Sequence, residues 1–344
     1  MNFYLKNFSR IVILSSLFIL LIIGSFNYLI DPLWNFSHSN KFNQYQMGLN
    51  ERQSKTNVVY FKDFKYNALM LGTSRVTYIN RHDIKDYNSY NYAVAKMRPY
   101  EYIEYTKYAK SKNKKDFDMI FLGIDFSSAE IIHEKKENFY KYKNETESFL
   151  YRYKTLFSLD TLKYSIKNFK NFAFDKYKKR IQTYTRDMIV QSYPKDKDFI
   201  NHDIAAYLSD ATKIYDPSYK IDIQKFKDDN PNTKFYVFLT PLTEPRFRKI
   251  MSNPENIKFY KRWVRDTIDV FGEVYNFMTI NNVTKNYTKT FTGVSHFYPF
   301  VGTHIVNKVF GYKDNDPFYK DFGVKITKNN FDYEINNIIK SLNK

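Results

Sequence analysis

Twenty consecutive residues near the start of the chain, Ile11 to Ile30 (IVILSSLFILLIIGSFNYLI), carry no charge. As an α-helix this run measures about 30 Å, the thickness of a bilayer's hydrocarbon core. Lys6 and Arg10 precede it and Asp31-Pro32 ends it. Positive charge on the near side predicts a cytoplasmic N-terminus over residues 1–10, a transmembrane anchor over 11–30 and an exported body. The other reading is a cleaved signal peptide. Its apolar core is shorter and ends in a small-x-small site, for which Ser25-Phe26-Asn27 is a poor match.

Behind the anchor the pattern turns polar, and residues 31–57 read as a connector. Short apolar runs follow. Asn67–Leu71, Tyr90–Val94, Phe117–Ile124, Lys234–Leu239 and Val274–Phe277 read as strands, and Tyr100–Lys110 reads as a helix with Tyr102, Tyr105 and Tyr108 on one face. Strands separated by helical patterns predict right-handed βαβ units, a mostly parallel sheet and an α/β domain over residues 58–344. Strand signals vanish over about 131–226, which predicts a helical insertion. Within it, Ser148–Ile181 is helical in pattern, with apolar positions at Leu162, Ile166, Phe169 and Ala173. From Leu162 to Ile181 there are seven basic residues, with Asp175 as the only acid. The face so formed either packs on the domain as a solvated helix or lies against a membrane or over a site. His304–Val309 reads as a last helix.

Composition narrows the chemistry. The chain has 54 basic and 36 acidic residues, a net charge of +18, which favours anionic surfaces such as phospholipid head groups or acidic glycans. The basic residues are spread along the whole length without a nucleic-acid-binding pattern, so nucleic acid is not an expected partner. There is no cysteine, which excludes disulfides, thiolate metal sites and a cysteine nucleophile. No His-rich or carboxylate cluster has metal-ligand spacing, and the nine glycines form no phosphate loop, so neither a metal nor a cofactor is expected.

The strand Asn67–Leu71 runs into Gly72-Thr73-Ser74-Arg75. A buried strand ending in Gly-x-Ser places a hydroxyl at the carboxyl edge of a sheet, where open α/β folds build their sites. Serine is a weak nucleophile unless a base takes its proton, and it is also a common helix N-cap. His296, in FTGVSHFYPFVG just before the last helix, is the candidate base. His82 and His133 follow strand ends, His38 and His202 read as solvent positions, and His304 packs on the last helix. Arg75 either pairs with a carboxylate or holds an anionic substrate group through its forked donors.

The order strand–GTSR, strand–LGIDF, strand–TP and SHF-x-P-x-x-G resembles the SGNH (GDSL-like) hydrolase superfamily, over about Val58 to Phe310. Within it the chain is most similar to the membrane-anchored branch near bacterial polysaccharide O-acetylation proteins and the D-alanyl transfer proteins of lipoteichoic acid synthesis. The resemblance implies a three-layer α/β/α sandwich of flavodoxin-like kind, with Ser74 as nucleophile and His296 as general base. It implies oxyanion donors from the Ser74 N–H, from the segment Ala93–Lys96 around Ala95, and from a Gly-x-Asn motif that here reads Gly123-Ile124-Asp125. An ionised carboxylate accepts but does not donate, so Asp125 cannot replace that Asn unless protonated. The family's orienting acid lies three residues before the histidine, and here that position is Gly293. A Ser–His dyad, a substitute such as Asp125, or lost catalysis are the resulting alternatives.

The expectation is then an acyl-transfer protein held by one span in the bacterial inner membrane with its body in the periplasm. It would form an acyl-enzyme on Ser74 and O-acetylate a cell-envelope or capsular polysaccharide. Its implied partners are the polysaccharide, membrane lipid and a multispanning membrane acyltransferase on the donor side. The rivals are a non-catalytic glycan-binding or scaffold component of such a complex, and an envelope carbohydrate esterase.

Overall fold

The computed structural model describes residues 2–48, 50–131, 136–174, 176 and 182–342; His133 and Asp175, singled out above, lie outside them. The chain divides into two compact units, Met1–Phe64 with Tyr140–Asp187, and Lys65–Phe139 with Met188–Lys344.

The second unit holds the sheet. Its strands are β1 (Ala68–Gly72), β2 (Ser89–Asn91), β3 (Met119–Ile124), β4 (Lys234–Leu239), β5 (Glu273–Asn276) and β6 (Val324–Thr327). They lie in the order β2-β1-β3-β4-β5-β6, parallel throughout except for the antiparallel edge β5–β6. The mixed α/β class and mostly parallel sheet follow the strand–helix alternation of the sequence. β1 and β3 are buried along their whole length, which explains why both are continuous apolar runs. Successive β4 residues meet different helices. Phe235 packs on Phe226 and Phe271, from the helices Ser218–Asp228 and Pro254–Phe271, while Tyr236 stacks on Phe310 at the end of the helix Pro299–Phe310. The helix read as the last is longer than His304–Val309, since Pro299 supplies its start, and it is not the last. β6 and the helix Phe331–Ser341 follow it and were not read from the sequence, although Phe331, Ile335 and Ile338 are buried at helical spacing.

The first unit is built on the N-terminal helix Asn2–Ile30. Among the described residues, Tyr4–Ile30 is the one helix long and apolar enough to cross a membrane. The chain turns at Asp31, whose φ is 45° and whose carboxylate accepts from the Asn35 and Phe36 N–H groups at 2.8 and 3.1 Å. Arg186 Nη2 reaches the same carboxylate at 2.6 Å. Residues 31–57, polar in sequence, are folded into this unit: Trp34, Asn35 and Phe36 are buried, as is most of the helix Glu51–Phe61. Side chains such as Gln53 and Asn57 bond to each other and to Thr146, so burial here is by hydrogen-bonded polar groups. The helix Leu159–Ala173 falls where a helical pattern was read, but the strand Thr183–Thr185 follows it and pairs antiparallel with Tyr45–Gln46.

Candidate active site

The carboxyl ends of β1, β3 and β4 are tied together by one carboxylate. Asp125, which follows β3, accepts from Thr73 Oγ1 and Thr240 Oγ1, each at 2.7 Å, and pairs with Arg75. Thr73 follows β1 and Thr240 follows β4. Burial opposes ionisation of Asp125, but the Arg75 guanidinium and the two hydroxyls outweigh it and hold the carboxyl below its usual range. The turn that brings Thr73 into this cluster needs Gly72. Its φ is +142°, and a Cβ there would lie 2.4 Å from the Gly123 carbonyl oxygen.

Thr73 caps the short helix Ser74–Thr77 by accepting from the Arg75 N–H. Ser74 is therefore the first residue of a helix at the sheet's carboxyl edge, half-buried, with Arg75 and Val76 packed inward. Arg75 Nε donates to the Ser295 carbonyl at 2.7 Å, which ties the turn after β1 to the loop before the helix Pro299–Phe310. In that loop Thr292 N–H donates to the His296 carbonyl at 2.8 Å, and Tyr78 stacks on the imidazole with ring centres 5.1 Å apart. So held, His296 Nε2 lies 2.8 Å from Ser74 Oγ. Its Nδ1 lies 3.2 Å from Ser295 Oγ. With the ring proton on Nδ1, directed at Ser295, Nε2 is left to accept from the Ser74 hydroxyl.

Charge around the ring is mixed. Burial and then the Arg75 guanidinium push the His296 imidazole down to about 4, with Arg246 acting the same way and Asp125 and Asp203 acting against them. The ring is thus neutral near pH 7 and able to accept a proton. Arg246, on the helix Glu244–Met251 behind β4, reaches the Val294 carbonyl at 3.3 Å, and burial lowers it to about 10. Among the described residues no carboxylate hydrogen-bonds the imidazole. Asp203, from the helix Lys197–Ala206, comes close by another route. Its Oδ2 accepts from the Val294 N–H at 2.7 Å, and a Cβ built on Gly293 would lie 2.5 Å from that same oxygen. This is much the separation between Cβ and a carboxylate oxygen within an aspartate side chain. Asp203 thus fills the space that a side chain at position 293 would enter.

Of the residues singled out from sequence, Ser74, His296, Arg75 and Asp125 gather in one cluster. Arg75 forms the carboxylate pair, and Asp125 is engaged by Thr73, Thr240 and Arg75 instead of the imidazole. Ala95 is exposed on the loop that runs beside the β1 end, where Val94 N–H donates to the Gly72 carbonyl at 3.1 Å. Gly123 is buried within β3, where Val76 and Phe238 close over its Cα: a Cβ would meet them at 2.4 and 2.6 Å. Thr73, Thr240, Arg246, Ser295 and Asp203 join the site without having been singled out. Thr73, Thr240 and Ser295 sit inside the strand-end motifs. Asp203 comes from the insertion, and nothing in its sequence neighbourhood marks it. Away from the site, His82 and His202 are exposed and His304 pairs with Asp314 at 2.5 Å. The His38 ring stacks on Tyr28 with both nitrogens buried, so it is not the solvent position its sequence suggests. No model of a known protein family matches this chain, and a search of curated proteins finds no match either.

Proposed function

We propose that the chain is a serine-dependent acyl-transfer protein of the SGNH-like type, held at the membrane by its N-terminal helix. The observation that carries the reading is the 2.8 Å approach of His296 Nε2 to Ser74 Oγ at the carboxyl edge of a parallel sheet. In the reaction Ser74 Oγ attacks an acyl carbonyl while His296 takes its proton. The proton passes to the leaving alcohol, and the acyl group stays on Ser74 as an ester. A sugar hydroxyl, deprotonated by the same imidazole, then takes the acyl group and restores Ser74. The Ser74 N–H, unlike those of Arg75 and Val76, is not taken by Thr73 and is the donor for the developing oxyanion, with Arg246 adding positive charge beside it. Helix contacts from opposite sides of β4 support a three-layer α/β/α arrangement. Retention of the N-terminal helix is supported by its last turns, since Asn27 and Ile30 are buried in the first unit and a signal cleavage would remove them. The body is then periplasmic, an envelope or capsular polysaccharide is the acceptor, and a multispanning acyltransferase supplies the donor.

The test is turnover of a chromogenic acetyl ester by the full chain in detergent. Ser74→Ala and His296→Gln should each lose about 10³-fold or more. Acetyl content of the cell-surface glycan decides direction: its loss in Ser74→Ala cells means transfer, its gain an esterase. A second reading, a non-catalytic glycan-binding scaffold, is favoured by the hydroxyl, not carboxylate, on His296 Nδ1, because losing the orienting acid costs about 10⁴ in serine proteases. No wild-type turnover together with unchanged glycan acetylation in Ser74→Ala cells would establish that reading and end the first.

A further inference from the structure

The first unit has an apolar outer surface at the place where it grips the N-terminal helix. Phe149 is 78% exposed, Leu159 65%, and Leu150, Tyr153 and Phe157 about half. These residues adjoin the helix directly. A Cβ on Gly24 would lie 2.8 Å from the Phe157 ring, and Asn27 Nδ2 donates to the Leu156 carbonyl at 2.7 Å. The helix that follows buries polar residues and leaves apolar ones outside. Leu159–Ala173 buries Thr161, Ser165, Asn168 and Asn171, with Ser165 bonded to Asn27 at 2.8 Å, while its outward face mixes Leu159, Tyr164 and Ile166 with Asp160, Lys163, Lys167 and Lys170. An outer face of apolar side chains interleaved with lysines is that of an interfacial helix.

The length of the N-terminal helix leads to the same place. Its side chains from Ile11 to Ile22 are all exposed, but from Gly24 to Ile30 the first unit covers much of it. The bare uncharged part, Ile11 to Ile23, is only about 20 Å long, because Lys6 and Arg10 interrupt the exposed Tyr4, Leu5 and Phe8 before it, whereas a hydrocarbon core is about 30 Å thick. The missing 10 Å or so corresponds to Gly24–Ile30. Those residues reach hydrocarbon depth only if the protein wrapped around them does too, and its outer face must then carry exposed apolar side chains, as the Phe149–Leu159 segment does.

We propose that the Phe149–Leu159 segment is immersed in the leaflet beside the anchor. Its exposed rings meet acyl chains, and nearby exposed lysines such as Lys154, Lys163 and Lys167 meet anionic head groups. The proposal rests on the helix being a retained anchor. The chain has no cysteine, so single labels are clean. Phe149→Cys, Leu159→Cys, Leu17→Cys and Tyr333→Cys full-length chains, spin-labelled and reconstituted in phosphatidylglycerol-containing vesicles, report depth through collision with oxygen against a water-soluble nickel chelate. The expected result is an oxygen-to-nickel ratio at 149 and 159 well above that at 333 and approaching that at 17. A lipid-like ratio at 17 with water-like ratios at 149 and 159 overturns the proposal and leaves the anchor standing. A water-like ratio at 17 removes the anchor, and this proposal with it.

Discussion

Each unit is locked by a buried aspartate–arginine pair at the end of an element, and the two pairs behave in opposite ways. Asp31 closes the N-terminal helix with Arg186 and two backbone N–H groups, yet burial prevails and its carboxyl is raised above the ordinary range. Asp125 closes β3 with Arg75 and two threonine hydroxyls, and there the partners prevail and the carboxyl is lowered. An ion pair seen in a structure therefore does not say which protonation state the fold prefers. The pairs also differ in what they hold. Arg186 donates onward to the Phe36 carbonyl at 2.9 Å, within the anchor unit. Arg75 donates onward to Ser295, the neighbour of His296, so its loss reaches the reactive pair.

The largest effects should come from removing the cations. Arg75→Met and Arg186→Met each strand a buried carboxylate, and each should destabilise its unit by about 3–5 kcal/mol. Denaturant unfolding of the full chain in detergent measures this. Turnover separates them: Arg75→Met loses it, because the His296 loop loses its tie, while Arg186→Met keeps wild-type turnover per folded molecule. Equal loss of turnover in both variants would erase the distinction.

Neutralising the anions should have smaller effects of unequal size. Asp125 is lowered in the folded state, so its contribution is present above the unfolded carboxylate range and fades as pH falls through the folded value. Asp125→Asn should then cost about 2–3 kcal/mol at pH 7 and flatten the acid limb of stability. Asp31 is raised, so its contribution is present below the unfolded range and is lost as pH rises through the folded value. Asp31→Asn, which imitates the protonated form, should cost less than about 1 kcal/mol at pH 7. Unfolding midpoints at pH 7 and pH 3 decide, and a larger cost at Asp31 would reverse the ranking.

The same contrast explains what could be read from the sequence. Buried strands announce themselves because a sheet covered on both faces demands unbroken apolar runs, as in MIFLGI and KFYVFL. The Ser74 turn was legible because Gly-x-Ser after a buried apolar run marks a strand-to-helix turn, although the cap is Thr73 and not the serine the sequence offered as one. The His296 contact was legible as chemistry but not as geometry, since it depends on Arg75 holding Ser295 and Tyr78 stacking on the ring. The anchor unit was the least legible. Its interior mixes Trp34, Phe36 and Tyr184 with buried Gln53, Asn57, Thr146, Ser165 and Asn168, residues whose sequence signature is that of a solvated connector or helix face. Buried polar side chains leave no hydrophobic period to read. Asp203 was hidden for a different reason: it acts across a fold contact, and its role is defined by the absence of a side chain at Gly293.

That absence gives the mildest and most discriminating experiment. Asp203 opposes the lowering of His296, so in the proposed reaction its charge stabilises the imidazolium formed when Ser74 gives up its proton. Asp203→Asn keeps an oxygen for the Val294 N–H and leaves the loop in place. It should cost about 1 kcal/mol of transition-state stabilisation, roughly fivefold in turnover. His296 must be neutral to act, so the acid limb of the wild-type rate profile falls near pH 4, and the variant's limb moves lower still. A merely structural role for Asp203 would reduce turnover at every pH without moving the limb. Exchange of the two positions sharpens the point. Gly293→Asp alone forces two carboxylates into one space and should be worse than Asp203→Asn. Combined with Asp203→Gly, it moves the charge to the other side of the same space, and turnover should recover toward wild type, because the imidazole responds to where the charge lies and not to which segment of the chain supplies it.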